Sequence, residues 1–260
     1  MGRINSGNNV IVQKIVFIII GLIFLVGTAQ AKAVRVIANE SMPFQGVENG
    51  KPVGLSIDLL EEITKHGGPT FDYEVGTPIK RALAMLVEAG EEPVVFVSLT
   101  RSPQREKSYK WIAKLFSHTV KAASYKKMAP KTIEEAKDLP TGMIRGHVFM
   151  PLVLEYGFTK LQLVNEAKQN ISKLKLGRID TIIDTDLNTL YNWEKAGFAV
   201  ENLRMGVAIT DAMYVYIVGN PTFPKDVAKN ISDAMDKMIE SGKYKETLKK
   251  WKITDDLPSD

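Results

Sequence analysis

The 260-residue sequence is 45% apolar and 25% charged, close to the globular average, so it supports one large or two modest domains with a sizeable core. It has no cysteine, which excludes a disulfide framework, thiolate catalysis and thiolate metal sites. Its 34 bases outnumber its 30 acids but are spread along the chain, so the charge does not point to nucleic acid.

The N-terminus reads as an export signal. Arg3 and Lys14 precede the first acid, Glu40, and Ile15 to Val26 is a twelve-residue apolar run. Thr28-Ala29-Gln30-Ala31 gives a small–x–small pattern with cleavage after Ala31. The run is shorter than the roughly 20 residues that span a bilayer, so residues 1–31 are predicted to be a cleaved signal peptide, an uncleaved anchor being the alternative. Removing two of the 34 bases leaves 32 against 30 acids, nearly neutral.

Val34 to Ala38 is predicted as a first sheet strand, followed by Glu40 and the turn Ser41-Met42-Pro43-Phe44. Glu40 fits a turn and Phe44 fits the core. Glu48-Asn49-Gly50-Lys51 is a turn by composition. A helix follows over Ser56 to Lys65, with Ser56 as cap, Asp58 toward its positive end and Gly67 as its stop. Thr77-Pro78 opens a second helix, with Ile79, Ala82, Leu83, Leu86 and Val87 at helical spacing and Gly90 ending it.

Val94 to Val97 reads as a strand buried on both faces. Past it stand Ser98, Thr100, Ser102, Pro103 and Arg105. Ligands in open α/β sheets bind outside the carboxyl ends of strands. Pro103 stands where a first helical residue would, with Ser102 as cap, and free N–H groups there suit an anion. The Arg105 fork suits a carboxylate. The stretch fits a carboxylate cradle, and it also fits a solvated loop with a surface arginine.

Lys121 to Met128 shows no strong period and is predicted to be a crossing segment between two halves. Thr132 to Glu135 fits a capping box and helix. Gly142-Met143-Ile144-Arg145-Gly146-His147 follows, with Arg145 either a second cation or a surface residue. A helix ends at Gly177, and Thr181-Ile182-Ile183 is a buried strand that places Asp184 at its carboxyl end, where Asp186 fits a helix cap. A helix then runs to Gly197, Met213 to Val218 is the return strand, and Ile231, Ala234, Met235, Met238 and Ile239 are one apolar helix face.

Several of these stretches together resemble the family 3 extracellular solute-binding proteins, the amino-acid binders of bacterial uptake transporters. They are Gly54-Leu55-Ser56-Ile57-Asp58-Leu59, Ser98 to Trp111, Leu174 to Asp184, and Gly242 to Trp251, in the family's order from Val34 to Trp251. The resemblance implies an α/β fold of two lobes, the type II periplasmic binding protein, with two hinge crossings and a ligand cleft. Residues 32–122 and 214–260 would form lobe I and residues 123–213 lobe II. It implies that Arg105 holds a ligand α-carboxylate beside Ser98 and Thr100, with Trp111 the following aromatic. Asp184, or Asp186, would take the ammonium. Glu40, Phe44, Arg145, Gly146 and His147 would complete the pocket, although Met42 and His147 depart from the family pattern.

The implied role is a periplasmic, monomeric binding protein without cofactor or metal, which captures a small carboxylate ligand, first an amino acid, and delivers it to an ABC-type permease. No catalytic set stands out: His66, His118 and His147 lack metal-ligand spacing, and no G-x-S-x-G or nucleotide glycine motif is present. A cyclohexadienyl dehydratase-like enzyme and a ligand-sensing protein remain the alternatives.

Overall fold

A computed structural model describes residues 33–102 and 104–253; the segment 1–31 expected to be a signal peptide and Pro103 lie outside these. The first strands are β1 (Val34–Ala38) and the hairpin β2 (Gly46–Glu48) and β3 (Lys51–Val53). Asn49 (φ 51°) and Gly50 (φ 72°) make the hairpin turn, both left-handed as such a two-residue loop requires. Helix α1 (Leu55–Lys65) follows, then β4 (Phe71–Val75), α2 (Ile79–Glu88), β5 (Val94–Thr100), β6 (Lys110–His118) and β7 (Val120–Tyr125). Next come α3 (Ile133–Lys137), β8 (Thr141–Ile144), α4 (Met150–Glu155), β9 (Leu161–Val164), α5 (Ala167–Lys175), β10 (Thr181–Thr185) and α6 (Asp186–Lys195). The chain closes with β11 (Leu203–Ala208), β12 (Met213–Gly219), α7 (Lys225–Glu240) and α8 (Lys243–Lys250).

Two five-stranded sheets divide these strands. One has the order β4-β1-β5-β12-β6 and the other β11-β7-β10-β8-β9. In the first, β1 is parallel to β4 and β5, while β12 is antiparallel to β5 and β6. In the second, β10, β8 and β9 are parallel and β7 is antiparallel to β10 and β11. Each sheet with its helices is one lobe of a two-lobed α/β fold.

The first sheet is covered on both faces, and β5 shows how. Val95 and Val97 face the cluster of α1, α7 and α8, while Val94, Phe96 and Leu99 face the cluster of α2. Strict alternation would put Leu99 with Val97. A bulge in β5 opposite Tyr216 and Val218 inserts one residue, and Ser98 takes φ 60° there. The bulge reverses the alternation. It also makes Ser98 and Thr100 strand residues, where the sequence suggested a turn.

Helix α1 lays Leu55, Leu59, Leu60 and Ile63 against this sheet at helical spacing. Each fully buried leucine or isoleucine is worth about 1.5–3 kcal/mol. The expected cap, Ser56, instead lies inside the helix; Gly54 is the N-cap, and Phe44 and Pro43 carbonyls take the first N–H groups, from Ser56 and Leu55. The helix therefore offers no open anion cradle at that end. Asp58 accepts from Trp251 Nε1 and Lys250 Nζ, both at 2.7 Å, and so ties α1 to the chain's last helix.

The chain passes from the first sheet to the second at Thr119, slightly ahead of the crossing expected from sequence. Val120 to Tyr125 is a paired strand, because Lys121, Ala122 and Ala123 have partners in β10. The chain returns between Ala208 and Met213. The two crossings are bonded to each other: Ile209 N–H donates to the Val120 carbonyl at 2.7 Å, and Met213 pairs with His118.

Gly54 has φ 128°, and a Cβ there would meet the Phe44 carbonyl oxygen at 2.5 Å. Gly54→Ala is therefore expected to lower unfolding free energy by about 1–3 kcal/mol, read as a fall in the urea midpoint; an unchanged midpoint would contradict this account of the α1 entry.

Candidate functional site

The carboxyl ends of β5 and β10 carry the two groups of greatest interest. At the β5 end, Ser98 Oγ and Ser56 Oγ lie 2.5 Å apart, one from the bulge and one from buried α1. Sequence reading took Ser56 for a cap and missed this pair, because a bulge leaves no pattern in the residues around it. Arg105 sits in a run of turns, not at a helix start: its N–H donates to the Ser102 carbonyl and its guanidinium Nη1 to the Thr100 carbonyl at 3.1 Å. Among the described residues no carboxylate pairs with Arg105.

A second arginine braces this loop. Arg101 makes two bonds to the Glu106 carboxylate, at 2.6 and 2.8 Å, and lies over the rings of Trp111 and Tyr216 at 5.2 and 5.5 Å. Glu106 and then Tyr216 raise its proton affinity further above the ordinary arginine value. Trp111, expected beside Arg105, donates its indole N–H to the Glu106 carbonyl and packs on Tyr216. It shapes the loop from outside.

At the β10 end, the Asp184 side chain is only 5% exposed. Two donors gather on its Oδ1, Thr185 N–H at 2.7 Å and Asn188 Nδ2 at 3.4 Å, and His147 Nε2 lies 3.5 Å from the same oxygen. Among the described residues nothing donates to Oδ2. Asp186 differs. Its Oδ1 accepts from Thr119 and Leu187 N–H, its Oδ2 lies 3.6 Å from Lys121 Nζ, and its own N–H donates to the Thr119 carbonyl. It pins α6 to the crossing. The helix cap is Thr185, whose side chain accepts from Asn188 N–H at 3.1 Å.

Near the β10 end stands His118, which sequence reading counted only as a scattered histidine. It closes β6 just before the crossing and is 8% exposed. Its ring tilts against Phe44 at 5.9 Å, and Phe44 stacks on Phe116 at 5.3 Å. No group bonds to its Nδ1 among the described residues. Burial holds the imidazole below the ordinary histidine range; nearby Asp186 and Asp184 oppose that shift, and His147 adds to it.

The structure thus gathers His147, Asp184 and Asp186 around His118 and Phe44 at the crossing. It groups Ser98 with Ser56, and Thr100 with Arg105. Glu40 and Arg145 are exposed, without a side-chain partner among the described residues. Gly146 has φ 72° and turns the chain ahead of His147. Among the described residues no group of His, Asp and Glu is arranged to hold a metal ion.

Two cavities lie elsewhere. One of about 190 Å³ is lined by Pro43 and Trp251 from one lobe and Leu187, Leu190 and Tyr191 from the other. A shallow groove of about 610 Å³ runs between residues 126–131 and β11. Neither contains a candidate residue.

A histidine whose proton affinity falls on folding costs stability in acid. The unfolded ring takes its proton near pH 6.5, the folded one only at lower pH, so stability is lost as pH falls below about 6.5. His118→Asn is expected to flatten that acid-side fall in melting temperature. An identical pH profile for the variant would overturn the assignment.

The chain matches the family described as bacterial extracellular solute-binding proteins, family 3, over residues 34–254. No curated protein matches it. Among solved structures, an ancestral cationic amino acid solute-binding protein is similar with a TM-score of 0.71 at 16% identity, over 84% of this chain and 95% of that one. A histidine kinase sensor domain gives 0.67 at 15% identity, over 86% and 97%. The arginine-, lysine- and histidine-binding protein ArtJ of Geobacillus stearothermophilus gives 0.62 at 19%, over 85% and 95%. At these identities the structures speak for the fold, while the family match spans nearly all of the described chain. This two-lobed protein belongs to the bacterial extracellular solute-binding proteins, family 3.

Proposed function

We propose that the protein captures a small ligand bearing both a carboxylate and a cation, first an amino acid, and hands it to the permease of an ABC importer. The observation that carries this reading is the Asp184 carboxylate. It is buried, all its donors sit on one oxygen, and the other is left without a partner among the described residues. A buried charge is costly unless paired. A ligand ammonium supplies the missing partner, and Arg105, without a carboxylate of its own, supplies the grip for the ligand's other end. Asp186 suits this less, because both its oxygens already have partners.

Lobe closure follows if the ligand touches both lobes only when they are closed. Structures named for binding cationic amino acids share this fold, which supports an amino-acid ligand. In this reading the protein works as a monomeric binder outside the cytoplasm, not as an enzyme. A ligand-sensing role is the second reading, favoured by the fold it shares with a histidine kinase sensor domain.

The test begins with thermal-shift screening of the purified protein against the twenty L-amino acids and small organic acids. Calorimetry on the best ligand follows. Arg105→Ala and Asp184→Asn are each expected to cost about 3–5 kcal/mol, roughly two to four decades of affinity. A loss within a factor of about three for either variant would remove that residue from the site.

A further inference from the structure

We propose that His147 is a positioning residue for Asp184, and that the protonation of its ring sets the charge which the ligand's cationic group meets. This rests on the reading that Asp184 takes that group.

The ring is held from two sides. Its Nδ1 accepts a hydrogen bond from the Phe149 N–H at 3.3 Å, and its Nε2 faces Asp184 Oδ1 at 3.5 Å. A nitrogen that accepts carries no proton, so the neutral ring bears its proton on Nε2, directed at the carboxylate. The ring also lies against Phe149, centroids 5.8 Å apart, and its side chain is only 13% exposed. Together with Thr185 N–H and Asn188 this fixes the rotation of the carboxylate and directs the bonds to Oδ1. Oδ2 stays open, in one orientation, with its negative charge intact.

Protonation reverses that state. The second proton goes on Nδ1, where it faces the Phe149 N–H and breaks that bond. The ring is then a cation 3.5 Å from Asp184, and a ligand ammonium meets a carboxylate already neutralised. The charged neighbours of the ring are Asp184 itself and His118 at the end of β6; His118 in turn lies near Asp186, whose carboxylate is 3.6 Å from Lys121 Nζ. His118 adds a like charge only in stronger acid, because burial disfavours its proton. Protonation of the ring therefore weakens the hold on the ligand's cationic group.

Two measurements test this. The sequence has three histidines, so nitrogen NMR of histidine-labelled protein gives three rings, and His147→Gln identifies the one concerned. The expected form at neutral pH carries hydrogen on Nε2; hydrogen on Nδ1 would overturn the proposal. The second measurement is the affinity for the tightest binder among L-arginine, L-glutamine and L-glutamate. Wild-type affinity is expected to fall about tenfold or more on acidification. His147→Ala weakens binding, His147→Gln restores part of the loss and is indifferent to pH, and His118→Asn keeps the acid loss. An acid loss in His147→Gln equal to that of wild type sinks the gate while leaving Asp184 as the ligand group. If Asp184→Asn binds like wild type, or none of the three amino acids binds, the underlying reading fails, and the ring's tautomer still decides the positioning role.

Discussion

A carboxylate shut away from water has to be stabilised by something, and much of the second lobe is arranged around that requirement. Asp184 is the next-to-last residue of a strand whose residues are all buried, in the middle of the second sheet. Its neighbours supply a backbone N–H, an amide and an imidazole, but no permanent cation. Lys121, the closest base to the crossing, lies near Asp186. Hydrogen bonds without a counter-ion orient a charge but do not neutralise it. The remaining attraction is directed at whatever enters from the open side.

The first lobe presents a different kind of surface. The Arg105 guanidinium rests on a backbone carbonyl, within a loop stiffened by the Arg101–Glu106 pair and by rings on its outer side. The Arg101–Glu106 pair is exposed and adds little to folding free energy. Its value lies in geometry, since two parallel bonds and two aromatic faces leave the loop few alternatives. Ser98, in a left-handed conformation uncommon for a serine, reaches Ser56 from the bulge. Strained backbone of this sort concentrates where binding groups are presented.

Much of this was legible in the residues. Apolar periodicity marks α1, α2, α6 and α7, and glycines such as Gly90 and Gly197, both left-handed, mark the ends of α2 and α6 because the signal there is local. Asp184 was readable as the last residue of a buried run. The crossing was read less well: Lys121 to Tyr125 has no clean alternation because both faces of β7 are covered, Val120 and Ala122 packing in one cluster and Ala123 and Tyr125 in another. Strands β4, β9 and β11 carried too little pattern to be noticed. His118, Ser56 and the β5 bulge were invisible for another reason. Each acquires its role from a residue far along the chain, and no window of sequence contains both partners. Phe44, readable either as core or as a ligand contact, stacks on Phe116 and meets His118 at the edge of the core.

The two crossings run side by side and are stitched together by main-chain bonds. A double-stranded ribbon folds and twists with ease, yet one strand cannot slip along the other without losing its register. Any rearrangement of the halves therefore pivots about this ribbon, as a door does on a pair of hinges sharing one pin. Because Asp186 is bonded to Thr119 on that pin, the start of α6 would move least in such a turn and points farther out most.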